Sequence, residues 1–353
     1  MSAPSGLPEY VPAEQRSGDL VHRGPADLAA WVHTRVEPAI EPEIAIIDAH
    51  HHLWVRPGDA YGVSDLRDEI DHSGHDVRAT VFIECRWQYD QGAAAHLAPV
   101  GETRQVANVS RGENGHGICR GIIGFADLTD GARVEEALNA HLAVGDGRFR
   151  GVRQRAVWDP HVRPNTPGLR PGLLADEPFR QGVRTLARLG LSFDAWQYYT
   201  QLGELAELAR AVPDVRIIAN HAGGPIGIGP HARRGMDAFI RWKKEIADLA
   251  KCSNVVMKLG GLGMLHCGFD FHYGEEAPAS EQLSTVWRPY MEHCIDCFGP
   301  DRCLFESNFP VDKQTCGYGV LWNTFKRIVA AYSVADKYAL FFGTAKTAYR
   351  LDV

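Results

Sequence analysis

Long apolar runs, a basic balance and paired cysteines are what this sequence lacks. No apolar stretch reaches the roughly 20 residues that a membrane-spanning helix needs. The first residues also lack the basic-then-apolar order of a secretory signal. The expectation is therefore a cytoplasmic chain with no membrane partner. A formal net charge of -7 speaks against nucleic acid as a partner too, because a phosphate backbone is met by clustered Lys and Arg. The eight cysteines stand singly, except that Cys294 and Cys297 form a C-x-x-C inside the helix-like run WRPYMEHCIDCF. No spacing fits a zinc ribbon, and the thiols read as small buried hydrophobes in a reducing compartment. What is present is ordinary globular composition: 45% hydrophobic residues over 353 positions, enough for one large core or two small ones. A small molecule is the expected partner, and a homo-oligomer remains open.

Residues 1–43 are polar and broken by Pro and Gly, and are expected to form an irregular N-terminal arm that wraps the domain or a neighbour. Within it, PADLAAWVHTRV has the makings of a short helix entered through Pro25. From residue 44 a rhythm sets in. Short β-branched runs (AIIDAHHHLW, ATVFIECRW, CRGIIGFADL, RGVRQRAVW, LSFDAW, VRIIANHAG, NVVMKLGGLG, CLFESNFPV) alternate with stretches of helical spacing. Eight such units over residues 44–353 predict an α/β (β/α)8 TIM barrel. A doubly wound sheet is the competitor, but no G-x-G-x-x-G follows the first strand.

Active sites of this fold sit at the carboxyl ends of the strands, and polar residues gather there: His50 and His52, Glu84 and Arg86, Asp127, Arg153 and Arg155, Asp194, Asn220 and His221, Lys258, Glu306 and Asn308. Simple alternation puts Asp48, His50 and His52 on one face of the first strand and His51 on the other. An H-x-H pair at a strand end offers two imidazoles to one metal ion or one substrate; hydrogen-bonded core histidines are the plainer alternative. Trp54, Trp87, Trp158, Trp196, Tyr198 and Phe309 lie just beyond strand ends, where they would make a partly apolar pocket. The Gly-rich stretch GGLGMLHCGFDFHYGEEAPASEQ after the seventh strand is read as a loop over the site, with His266 or His272 reaching in.

The stretch DAHHHLW closely resembles the D-x-H-x-H signature of the amidohydrolase superfamily, in its branch of lactone hydrolases. RGVRQ resembles the fourth-strand element of that branch, IIANHAGGP the sixth-strand element, and CLFESNFPVD the terminal G-S-D-W-P element; together they span residues 44–312. The resemblance implies a (β/α)8 hydrolase that opens a lactone or similar cyclic ester bearing a carboxylate. It places His50, His52 and His221 on the catalytic and metal-binding histidines, Arg153 on the arginine that faces a substrate carboxylate or carbonyl, and Asn308 on the eighth-strand aspartate. Lys258, Trp54, Glu84 and Trp196 complete the expected substrate-binding set.

Two amides stand where the family carries carboxylates. Asn308 cannot take a proton from water and is a poor zinc ligand, and Asn220 removes a second negative charge. One weakly held divalent ion, zinc by ligand type, is expected, with a metal-free site as the other outcome. Glu306 is the nearest candidate base, with Asp194, Asp48 and His221 behind it; a buried ion pair to Arg153, Arg155 or Lys258 is the structural alternative for Glu306. A metal-dependent decarboxylase of the same superfamily and a catalytically silent binding relative are the rival functions.

Overall fold

The computed structural model describes residues 10–16, 22–112, 115–162 and 169–353. Eight parallel strands run in chain order around one sheet: β1 (Ile46–His51), β2 (Val77–Ile83), β3 (Gly121–Gly124), β4 (Phe149–Arg155), β5 (Ser192–Trp196), β6 (Ile217–Ala219), β7 (Val255–Leu259) and β8 (Cys303–Phe305). Each overlaps one of the eight β-branched runs, the strands at Val77 and Phe149 starting one or two residues ahead of theirs. Each is followed by an outer helix: Val63–Ser73, Val100–Val109, Glu135–Val144, Glu177–Arg188, Leu202–Ala211, Pro230–Leu249, Ser280–Phe298 and Tyr318–Ile328. The helix Glu177–Arg188 shows why: Pro in its first turn fixes the entry, and Phe179, Gly182, Val183 and Leu186 recur at helical spacing to bury one face.

The ring closes without a regular β1–β8 ladder. Asn308 N–H donates to the His50 carbonyl and His52 N–H to the Phe309 carbonyl, each at 2.8 Å. Ser307 N–H donates to Asp48 Oδ1 at 2.9 Å. Inside the barrel, Ile47, Val81, Ile123, Ile218, Val256 and Leu304 form an apolar lower layer. Nothing in the sequence reading anticipated what covers it: the C-terminal segment from Ala339 to Leu351 packs Phe342, Ala348, Tyr349 and Leu351 onto the same layer and plugs the amino-terminal end of the barrel.

Alternation then carries polar residues into the upper layer. Val256 of β7 joins the inner cluster and Met257 the outer one, so Lys258 returns to the interior, where it pairs with Asp194 of β5. On β1 the alternation fails. The register with β2 shifts between Asp48 and His51, Ile47 and Ala49 are the inward residues below the shift, and the Asp48 side chain accepts from Tyr318 Oη at 3.0 Å. Asp48 therefore does not share a face with His50, and it staples β1 to the last barrel helix instead of offering a base to the site. The bulge is the reason: one irregular residue reverses every facing beyond it. His51 turns outward, as expected, onto Thr80 Oγ1 at 2.8 Å.

The arm helix Pro25–Val32 forms with Pro25 at its first position. The arm lies on its own chain, against the loop that follows β7. Among the described residues no helix is long and apolar enough to cross a membrane. The cysteines are all free thiols.

Candidate active site

The centre is a carboxylate between two imidazoles. Glu306 Oε1 lies 2.7 Å from His221 Nδ1 and also accepts the His221 backbone N–H at 3.1 Å; Oε2 lies 2.8 Å from His50 Nδ1. The rings of His50 and His221 are 4.6 Å apart between centroids, so residues from β1 and the end of β6 share one point. Glu306 makes no ion pair with either strand-four arginine, and Lys258 Nζ stands 3.8 Å from its Oε2. Lys258 is itself held by Asp194 Oδ1 at 2.9 Å and approaches His50 Nδ1 at 3.1 Å. Tyr349, from the C-terminal plug, donates to the same Asp194 oxygen at 2.7 Å. All of these side chains are buried.

Local backbone makes the convergence feasible. Gly260 and Gly261 follow β7, and a Cβ on Gly261 would sit 2.5 Å from His221 Nδ1, while one on Gly260 would sit 2.3 Å from Glu306 Cγ. Only glycine lets the chain pass this close. His221 and Asn308 both adopt left-handed backbone (φ 58° and 53°), a strain of about 1–3 kcal/mol each that surrounding structure must maintain and that concentrates at functional sites.

Burial, reinforced by the Lys258 charge, pushes the His50 imidazole well below its usual range; burial and Arg153 do the same to His52. Burial lowers His221 too, although Glu306 opposes it. The three rings are thus neutral near pH 7 and keep lone pairs available. Burial raises the Glu306 carboxyl, but His221 and Lys258 outweigh it and hold the group below the ordinary carboxylate range.

Several expected residues take other partners. His52 Nδ1 lies 2.8 Å from the Ile83 carbonyl, which assigns the proton there and leaves Nε2 as an acceptor 3.2 Å from His50 Nε2. Asn308 does not enter the cluster with its side chain: Nδ2 donates to Asp312 Oδ1 at 2.7 Å, and burial raises the Asp312 carboxyl to about 8. Arg153 does not present an open fork to substrate. Its Nε donates to Glu84 Oε1 at 2.8 Å, its second terminal nitrogen to the Glu84 carbonyl, and only Nη1 faces the site, 3.3 Å from His50 Nε2. Glu84 is accordingly a buried ion-pair partner. Behind it, Glu102 pairs with no cation among the described residues, and burial together with the Glu84 charge raises its carboxyl to about 8. At the rim Trp196 packs edge-on against His221 at 4.6 Å, and Trp54 lies 6.3 Å from His52. His266 reaches Trp196, whereas His272 lies under the arm, its carbonyl held by Arg23.

Can the residues present hold a cation? Among the described residues, one group of metal-ligating side chains has the geometry: His50, His221 and Glu306, with ligand atoms within 4.8 Å of one another. Glu306, not His52, completes it. If His50 carries its proton on Nε2, it donates to His52 and leaves Glu306 Oε2, a buried oxygen without a hydrogen-bond donor, bare. If the proton is on Nδ1, two Nε2 lone pairs face each other. In the first arrangement the Glu306 acceptor is left uncompensated, and a divalent ion would satisfy it; in the second, Glu306 Oε2 accepts from His50 Nδ1 and Arg153 Nη1 can donate to His50 Nε2. The donor set fits zinc.

The chain as a whole is similar to known proteins. The family model described as Amidohydrolase covers residues 47–351. The protein y4mH of Sinorhizobium fredii (strain NBRC 101917 / NGR234) is 35% identical over 329 residues, covering 88% of this chain and 99% of its own length. An L-fucono-1,5-lactonase of Burkholderia multivorans (strain ATCC 17616 / 249) is 27% identical over 318 residues, covering 86% of this chain and 96% of itself. Among solved structures, an amidohydrolase from Burkholderia multivorans with bound zinc superposes with a TM-score of 0.66 at 22% identity, over 87% of this chain and 99% of that one, a likeness of fold. With the family match extending over nearly the whole barrel and these relatives aligned end to end, this chain belongs to the amidohydrolase family.

Proposed function

We propose that the protein hydrolyses a lactone, or a similar cyclic ester, bearing a carboxylate. The observation that carries this reading is the Glu306 carboxylate bridging two neutral imidazoles at the barrel mouth, with two cations beside it. The lactonase name of a 27% identical relative supports it. Glu306 Oε1 holds the His221 Nδ1 proton, which leaves Nε2 free to take a proton from water as it attacks the lactone carbonyl. Lys258 and Arg153 place positive charge, in a water-poor centre, where the tetrahedral oxyanion develops. Collapse breaks the ring C–O bond, the proton passes from His221 to the leaving alkoxide, and a hydroxy acid results. His50, His221 and Glu306 would alternatively hold a divalent ion, which when bound supplies Lewis-acid polarisation of the carbonyl; a His221 engaged as its ligand would not also be the base. Release of acid from a panel of carboxylated and neutral lactones tests the reading; a folded, monodisperse protein that opens none of them overturns it.

The substrate carboxylate falls to Arg155 rather than Arg153. Arg155 lies on the same face of β4, one step nearer the mouth, its side chain 29% exposed, and its Nε stops 3.6 Å short of Glu84. Arg155→Ala should raise KM for a carboxylated lactone by roughly 10–100-fold, as for the loss of a charge-assisted contact, with kcat little changed. An equal rise for a neutral lactone would remove the assignment.

Metal affinity should be low. The Lys258 ammonium competes for the same His50 nitrogen, so the ion enters beside a resident cation. Elemental analysis after dialysis against chelator is expected to find substoichiometric zinc, and re-addition to raise Tm. A full complement surviving chelator would contradict this.

A further inference from the structure

We infer that the N-terminal arm is a strap that positions His266 over the substrate site and so sets KM, a role that rests on the hydrolase reading above. The family match begins at residue 47, after the arm, and the 35% identical relative is covered almost entirely while this chain is not. The arm thus lies outside the part of the chain that the family model matches. Its buried arginines grip the loop after β7, while other arm residues bond Gly229, Gln314 and Asn323. Arg16 is 5% exposed and donates from both terminal nitrogens to Asp270, at 2.5 and 3.0 Å, with its Nε held by the Val11 carbonyl at 2.7 Å. Its guanidinium is flanked by the rings of Tyr10 and Tyr273. Arg23 donates to the His272 and Gly274 carbonyls, and Trp31 Nε1 to the same Gly274 carbonyl at 2.9 Å. A planar fork on a carboxylate, packed between aromatic faces, fixes distance and orientation together.

The other side of this loop is the rim of the site. It leaves β7 against His221 at Gly261 and is pinned to the loop after β6, where Gly227 N–H donates to the His266 carbonyl at 2.9 Å. Between the two anchorages His266 is set against Trp196 (5.8 Å) and Tyr198 (5.5 Å), and Trp196 in turn contacts His221. Among the described residues the buried His266 Nε2 has no hydrogen-bond partner, which is costly unless a ligand supplies one. A hydroxyl of the lactone ring, donating or accepting beside an aromatic face, is the chemistry that fits. His266 is then the contact residue, and Arg16 and Asp270 are positioning residues that act through it.

The test combines exchange with kinetics on the full chain. Arg16→Ala should make amide exchange across residues 264–274 about tenfold faster, and Arg16→Lys, which keeps the charge without the fork, should restore part of the protection. His266→Ala should raise KM for a hydroxylated lactone about tenfold with kcat within about threefold of wild type. Arg16→Ala should do the same, and should add nothing in the His266→Ala background. Unchanged loop exchange in Arg16→Ala overturns the strap; additive KM effects overturn its action through His266. If Arg16→Ala does not fold, Asp270→Asn breaks the same fork from the loop side and is read identically. Failure of the hydrolase reading looks different: wild type opens no lactone, while the exchange result still decides the strap.

Discussion

Glu306→Gln is expected to lower kcat by on the order of 10³–10⁴-fold, the magnitude seen when the carboxylate that orients a catalytic histidine becomes an amide. One amide oxygen can still accept from the His221 ring and backbone, but the amide nitrogen then faces His50 Nδ1, 2.8 Å away, and the Lys258 ammonium, 3.8 Å away. The amide donors then face the Lys258 ammonium, itself a donor, with no carboxylate oxygen left on that side. The substitution also removes the negative charge that opposes burial at His221, so the imidazolium formed during proton transfer loses its counter-charge. Metal uptake should fall in parallel, since Glu306 is the anionic member of the His50–His221–Glu306 group. Glu306→Asp keeps the charge but retracts it by one methylene and should recover only part of the rate. Steady-state kinetics on the three proteins, with zinc content measured on the same samples, check this. A Glu306→Gln enzyme within about tenfold of wild type would show that another group orients the base.

How much of this was written in the sequence depends on which interaction decides each feature. The barrel was legible because it follows from local periodicity: eight β-branched runs, each followed by a helical stripe such as Phe179, Val183 and Leu186, leave few other ways to bury both. The convergence of His50 with His221 followed from the fold, since both stand at strand ends. The facing of Asp48 was not legible. It turns on a register shift in β1 that no residue spacing announces. Nor was the pairing of charges. From spacing alone Arg153 looks as free for substrate as Arg155, and only the three-dimensional approach of Glu84 from β2 separates them. The partner of Asn308 was hidden for a related reason: Asp312 is four residues along, beyond a turn, and accepts from the amide. The pair Gly260–Gly261 and the residue Tyr349 did carry a signal that went unused. Two glycines after a barrel strand mark a close backbone approach, and an aromatic near the C-terminus of a barrel needs somewhere to be buried.

The ion pair that redirected Arg153 makes the second large prediction, and it concerns folding. Arg153→Ala should destabilise the protein by about 3–5 kcal/mol, the usual result of removing one partner from a buried pair and leaving the other charge uncompensated. Arg153 and Glu84 are both almost fully buried, with side-chain exposures of 3% and 2%. Burial alone would raise the Glu84 carboxyl; it lies below its ordinary range because Arg153, and then Arg155, outweigh burial. Without Arg153 only the more distant Arg155 and Arg86 oppose burial, and the folded pKa of Glu84 rises. The sign follows: a raised carboxyl contributes stability below its unfolded pKa and loses it as pH climbs through the folded value. The deficit of Arg153→Ala relative to wild type should therefore grow between pH 5 and pH 8. Glu102 steepens this, because its own carboxyl, held near 8, must share the pocket with Glu84. Arg153→Ala combined with Glu84→Leu should recover much of the loss and flatten its pH dependence, since no buried charge is then left alone. Thermal unfolding of the single and double variants at both pH values decides the matter: an Arg153→Ala protein as stable as wild type at pH 8, but with a raised KM, would return this arginine to the substrate.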